Sequence, residues 1–103
     1  MNNQIMLIGR LVSDPEINET ENGKVTDIVL AIRRYFKNKE GIYETDFIPV
    51  RLYTGIAEKT CEYCSKGDLI AVKGRVERLS GEDLKIIADK VSFLASKPKG
   101  EEE

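Results

Sequence analysis

The sequence predicts an all-β domain, five strands closed into a Greek-key barrel with one α-helix between strands three and four. Three observations carry this reading. Apolar residues alternate with polar ones in separate short segments, and turn signals such as Asp14-Pro15, Asn22-Gly23 and Ser80-Gly81 fall between them. A single stretch, Gly55 to Lys66, shows helical spacing, and it lies after three strand-like segments and before two more. With 103 residues, 41% of them hydrophobic, the chain suffices for one domain with one modest core.

The elements follow in order. Gln4 to Val12 carries Ile5, Leu7, Ile8 and Leu11, and Gly9 in its interior predicts a bend or a close backbone approach, hence a curved first strand. Ser13 to Gly23 is polar and reads as a turn region. Val25 to Tyr35 alternates, with Ile28, Leu30 and Ile32 on one face and Val29, Ala31, Arg33 and Tyr35 on the other. A connection from Lys37 to Gly41 leads to Tyr43–Thr54, where Ile48, Val50 and Leu52 oppose Phe47, Pro49, Arg51 and Tyr53. The helix, Gly55 to Lys66, places Ile56, Lys59, Thr60 and Tyr63 at helical spacing, and Gly67 is positioned as its stop. Asp68 to Leu79 and Leu84 to Leu94 complete the set, joined by a turn at Ser80-Gly81-Glu82. Three strands, a helix and two strands is the layout of the five-stranded oligonucleotide-binding (OB) barrel, whose closure hides its edges.

Arg33 to Tyr53 interleaves cations with aromatics on two strands and the hairpin between them. Cationic groups neutralise phosphates and flat rings stack on bases, so this composition suits an unpaired nucleic-acid strand held without sequence readout. The alternative is an ordinary hairpin with solvated Arg and Lys. A second choice concerns Phe47 and Tyr53, which a core reading would bury; Arg51 between them is hard to bury and favours an exposed aromatic face. The net charge of −2 and pI of about 5.3 mean that any electropositive site is local. Arg33, Arg34, Lys37 and Lys39 lie within seven acid-free residues, whereas acids gather at Asp14–Glu21 and Glu101–Glu103.

No basic leader and no apolar run of membrane-span length is present, so a cytoplasmic protein without a membrane partner is expected. Cys61 and Cys64 stand three apart, late in the helix, with no second pair and no histidine anywhere in the chain. Two ligands cannot complete a zinc site, and a redox Cys-x-x-Cys, open on spacing alone, belongs at a helix start in a βαβ setting, so both are assigned to helix packing, with no metal and no cofactor. Carboxylates placed in loops and tails, no histidine and no glycine-rich phosphate loop argue against an enzyme.

Several blocks, in order, resemble the bacterial single-stranded DNA-binding protein (SSB) family: Ile5–Glu16, Val29–Asn38, Asp46–Tyr53, Ala57-Glu58 and Tyr63–Val76. The resemblance spans residues 4 to 94. It implies a homotetramer of OB barrels that coats and protects single-stranded DNA in replication, recombination and repair, associated with the nucleoid. Matched position by position, the family's stacking aromatics fall on Phe36, Phe47 and Tyr53. Charge and placement add Arg33, Arg34, Lys37, Arg51, Lys66, Lys73 and Arg75 as candidate phosphate contacts. The first strand, as a sheet edge, is a candidate pairing element for the oligomer.

The chain departs from that family in three places. It has no Trp, so Phe and Tyr must serve as platforms. Its last hairpin, Arg78–Glu82, is short and lacks an aromatic. Residues 96–103 form a short acidic tail outside the barrel domain, 1–95, and recruitment of other replication and repair proteins through that tail lacks support. Two other readings of the barrel remain open: a protein-assembly module similar to the primosomal replication-restart protein, and an RNA binder, since stacking and phosphate contacts ignore the 2′-hydroxyl.

Overall fold

Val25, Thr26, Ile28, Val29 and Ile32 concentrate β-branched side chains in one segment, and that segment lies at the centre of the longest strand. The computed structural model describes residues 1–81 and 83–98. In chain order it contains β1 (Ile5–Leu11), β2 (Asn18–Thr20), β3 (Gly23–Lys37), β4 (Tyr43–Tyr53), α1 (Thr54–Tyr63), β5 (Leu69–Arg78) and β6 (Leu84–Ala95). The sheet runs β1-β5-β6-β4-β3-β2, and a further β1–β3 pairing closes it into a barrel. The pairings are antiparallel except β4–β6, which is parallel at Val50↔Ile86 and Arg51↔Ile87. Five long strands with a helix between the third and the fourth of them are the predicted OB architecture.

The predicted alternation holds on β3 and β4. Ile28, Leu30, Val50 and Leu52 are buried, join Ile70 and Val72 of β5, and are covered by Ala57 of the helix. Gly9 makes the closure possible. β1 pairs with β5 from Ile5↔Gly74 to Arg10↔Leu69 and then reaches β3 at Arg10↔Ala31 and Leu11↔Leu30. A Cβ on residue 9 would lie 2.7 Å from Ile32 Cγ1 and 2.8 Å from the Ala31 carbonyl oxygen, so any side chain there would force the two walls apart.

The structure corrects the sequence reading in three details. The polar stretch 13–23 contains β2, whose three exposed residues pair with Gly23–Val25; backbone ladder bonds, with no hydrophobic pattern, make this strand. The helix ends at Tyr63, not Lys66. Tertiary hydrogen bonds claim the backbone beyond it: Ser65 N–H donates to the Asp68 carboxylate (2.9 Å), Lys66 N–H to Asp14 (2.7 Å) and Gly67 N–H to the Leu11 carbonyl (2.9 Å). The buried helix positions are Ala57 and Thr60, with Cys64 just past the end, while Tyr63 is 68% exposed and belongs to no core stripe. Cys64 is buried and Cys61 half-buried, as packing residues would be. Burial pushes both thiols up.

Third, carboxylates that the sequence seemed to leave in loops stand on strands: Asp27, Glu44, Asp46, Glu77 and Asp89 each face an arginine. Glu82 of the predicted last turn, and the tail from Lys99 through Glu101–Glu103, lie outside the described residues.

Candidate functional site

From Asp27 to Arg33 on β3, and along β4, alternation sends odd-numbered side chains outward. The register sets Asp27 opposite Arg51, Val29 opposite Pro49, Ala31 opposite Phe47 and Arg33 opposite Thr45, so these form one outer wall. Phe47 is 62% exposed on it, which decides the question left open by the sequence in favour of an exposed ring. Tyr53 is half-buried at the far end, where Thr54, at φ 46°, turns the chain into the helix.

Between Arg33 and Lys37 the register shifts by two residues, so that Lys37 stands opposite Tyr43. The bulge throws Tyr35 and Phe36 outward, and their rings meet edge to face with centroids 5.2 Å apart. Tyr35 is 92% exposed. Tyr43 carries Arg33 over its ring, 4.4 Å from guanidinium carbon to centroid, with Lys37 Nζ at 5.6 Å. Tyr43 therefore joins Phe47 and Tyr53 on the wall, and Tyr35 stands exposed with the predicted Phe36 in the bulge. For Tyr43 and Tyr35 alike a signal was present in the sequence: Tyr43 shares its parity with Phe47, and alternation had already set Tyr35 on the outer face with Arg33.

The predicted cations are not equally placed. Arg33, Lys37 and Arg51 lie on the aromatic wall. Arg51 is held bidentately by Asp27, Nε to Oδ1 at 2.8 Å and Nη2 to Oδ2 at 3.0 Å. That hydrogen-bonded pair holds the Asp27 carboxyl below the usual carboxylate range and raises the guanidinium pKa further, with Tyr53 adding a smaller contribution. Arg34 has the opposite parity and points to the reverse side of the hairpin, where Asp46 and Glu44 bind it at 2.9–3.0 Å. Asp46 is likewise held low by Arg34.

Lys66 lies in the turn after the helix and lines a shallow groove with Asp14, Glu16 and Asp27. Lys73 and Arg75 project from β5, which β6 separates from β4. There Lys73 has Met6 and Lys90 as strand neighbours, and Arg75 is paired with Glu77 and Asp89. The structure thus joins Arg33, Lys37, Phe47, Arg51 and Tyr53 on one surface, leaves Phe36 exposed in the bulge at its end, and places Lys66 in the turn after the helix and Arg34, Lys73 and Arg75 on other faces.

Beside this wall, β4 and the last hairpin diverge past their short parallel contact and leave a groove of about 560 Å³. Ile48, Pro49, Val76, Leu79, Leu84 and Ile86 line it, with Arg51, Asp83 and Lys85. Where the sequence lacks a hairpin aromatic, the structure supplies aliphatic side chains. Among the described residues no group of His, Cys, Asp and Glu is arranged to hold a metal ion.

A closed barrel with an outward wall of rings and cations on two adjacent strands defines a barrel of the oligonucleotide-binding class. Residues 2–94 match the model of the single-strand binding protein family, and the chain belongs to that family. It is 39% identical over 108 residues to single-stranded DNA-binding protein B of Bacillus subtilis, covering 96% of each chain. It is 42% identical over 102 residues to a single-stranded DNA-binding protein of Clostridium tetani, covering 89% of this chain and 70% of that one.

Among solved structures, a deletion mutant of the single-stranded DNA binding protein from Thermus aquaticus superposes with a TM-score of 0.72 at 30% identity, over 90% of this chain. This chain spans half the length of that one. A small single-stranded DNA-binding protein from Streptomyces coelicolor gives a TM-score of 0.71 at 21% identity, over 90% of this chain and 94% of that one, a likeness of fold.

Proposed function

We propose that this protein binds single-stranded DNA with little sequence preference, coating and protecting it in replication, recombination and repair. The observation that carries the reading is the outer wall of β3 and β4 with its hairpin, where Phe47, Phe36 and Tyr35 stand exposed near Lys37 and Arg51. A ring on a solvent face is stabilised little by the core, and every unpaired base offers a π-face to it. The flanking cations hold the phosphates and make affinity fall with salt. Paired bases hide their faces, so duplex should bind weakly. Titration with oligo-dT, oligo-U and a duplex of equal length at two salt concentrations tests this. Affinity for duplex equal to that for oligo-dT would remove the stacking argument, and a preference for oligo-U would turn the reading to RNA.

We further propose that the protein works as a homotetramer in the cytoplasm, on the nucleoid. The oligomer is supported by β1, which from Ile5 to Gly9 is paired along one edge with β5 and exposes Met6 and Ile8. No helix among the described residues is long and apolar enough to cross a membrane. Sedimentation at micromolar concentration reads the oligomer directly, and a species of 11.6 kDa would reject it.

A further inference from the structure

Arg33 differs from Arg34, Arg51 and Arg75 in its company. Those three are held by carboxylates, whereas among the described residues Arg33 has the Tyr43 ring and no carboxylate partner. The β3 bulge is what gives the ring its second cation. Had the register continued unbroken from Arg33↔Thr45, Tyr35 would stand opposite Tyr43; the two-residue shift puts Lys37 there instead.

Two cations of different shape therefore share one ring. A guanidinium is planar and weakly hydrated, so with one side over an aromatic it offers its other side as a flat surface. An ammonium is a compact, strongly hydrated point charge that suits a phosphate oxygen. Arg33 also lines, with Ala31, Ile32 and Thr45, a shallow groove of about 420 Å³, which leaves room for a ligand beside it.

We propose, resting on the single-strand reading above, that Arg33 is a base-stacking platform with Tyr43 as the positioning residue beneath it, and that Lys37 makes the phosphate contact next to that base. Arg33 then acts through its planarity more than its charge, and the hairpin supplies a stacking position where the chain has no tryptophan.

Anisotropy of a fluorescein-labelled oligo-dT across a salt series, with the full chain, tests the assignment, and a thermal melt of each variant checks folding. Arg33→Lys should weaken binding about ten-fold and leave the slope of log K against log salt unchanged, since charge is kept and the plane is lost. Tyr43→Leu should match it, while Tyr43→Phe restores wild-type affinity. Lys37→Gln should reduce the salt slope by about 0.7, the value for one phosphate contact on a single strand. Wild-type affinity in Arg33→Lys, together with a reduced slope in Arg33→Gln, would make Arg33 a phosphate contact and overturn the proposal. So would Tyr43→Leu binding like wild type. Failure of the wild-type protein to bind oligo-dT would instead reject the single-strand reading itself, which keeps the two failures distinct.

Discussion

Asp27→Asn should tighten single-strand binding. The carboxylate holds Arg51 with two hydrogen bonds at 2.8 and 3.0 Å on the aromatic wall, so a phosphate must compete with it for the guanidinium. Both side chains are partly exposed, 42% for Asp27 and 29% for Arg51, which puts the pair in the class worth about 0.2–1 kcal/mol to folding. A melt should therefore shift little, and the Asn amide oxygen can still accept from Arg51. For binding, a phosphate seated on Arg51 would stand on the order of 6 Å from the Asp27 charge, a repulsion of about 0.7 kcal/mol in a water-like dielectric. Its removal should raise affinity for oligo-dT about three-fold at low salt and steepen the salt slope by up to about 0.7. The control is Asp46→Asn, which removes one of the two carboxylates on Arg34 on the reverse side of the hairpin, leaves Glu44 in place, and should change neither quantity. If Asp27→Asn bound like wild type with an unchanged slope while Asp46→Asn bound more tightly, the strand would run over the other face and the wall would be wrongly chosen.

Phe47→Ala should cost about 1–3 kcal/mol in oligo-dT binding with the salt slope unchanged, and because the ring is 62% exposed its melting temperature should stay near wild type. Gly9→Ala should destabilise the fold by about 1–3 kcal/mol in denaturant titration, since its Cβ would press on the Ala31 carbonyl and Ile32; an unchanged midpoint would show that β1 can move away. Thr26→Val should stabilise by about 1 kcal/mol, because among the described residues the fully buried Thr26 hydroxyl has only the weakly bonding Cys61 thiol to pair with and a methyl group fills the same space. With acid, the contribution of the Asp27–Arg51 pair, whose carboxyl pKa is depressed in the folded state, should be constant above the ordinary carboxylate value and disappear as pH falls through the folded one. Thermal melts across that acid limb should be flatter in Asp27→Asn than in wild type.

Period-two patterning revealed which way Phe47 and Arg51 face, because Ile48, Val50 and Leu52 between and beside them had to go inward together. Gly9 announced a close approach, and the structure shows which atoms approach. What sequence could not provide was register. Asp27 lies 24 positions before Arg51, and nothing local says that they will meet. The same limit hid the pairing of Arg75 with Asp89 and of Arg34 with Asp46, so cations that looked equivalent in the chain differ in availability. Gly67 resembled a helix stop, yet its φ of 92° serves the turn closed by Asp68; long-range hydrogen bonds from Lys66 and Gly67 decided where the helix ended. The strand of three exposed polar residues at Asn18–Thr20 carries no hydrophobic signal at all.

The gradient of burial along β3 has a consequence for motion. Leu30 is completely buried, and five residues later Tyr35 is almost completely solvated, beyond a break in the ladder. Local opening free energy follows buried contact, so amide hydrogens around Ile28–Leu30 should exchange only through global unfolding, while those from Arg34 to Lys37 exchange through small fluctuations. One continuous strand then joins an anchored root to a compliant tip. Bases along an unpaired strand vary in size and spacing, and rings at the compliant end can follow them without disturbing the barrel. The tolerance of sequence proposed above would then be a mechanical property of the hairpin as well as a chemical property of its rings.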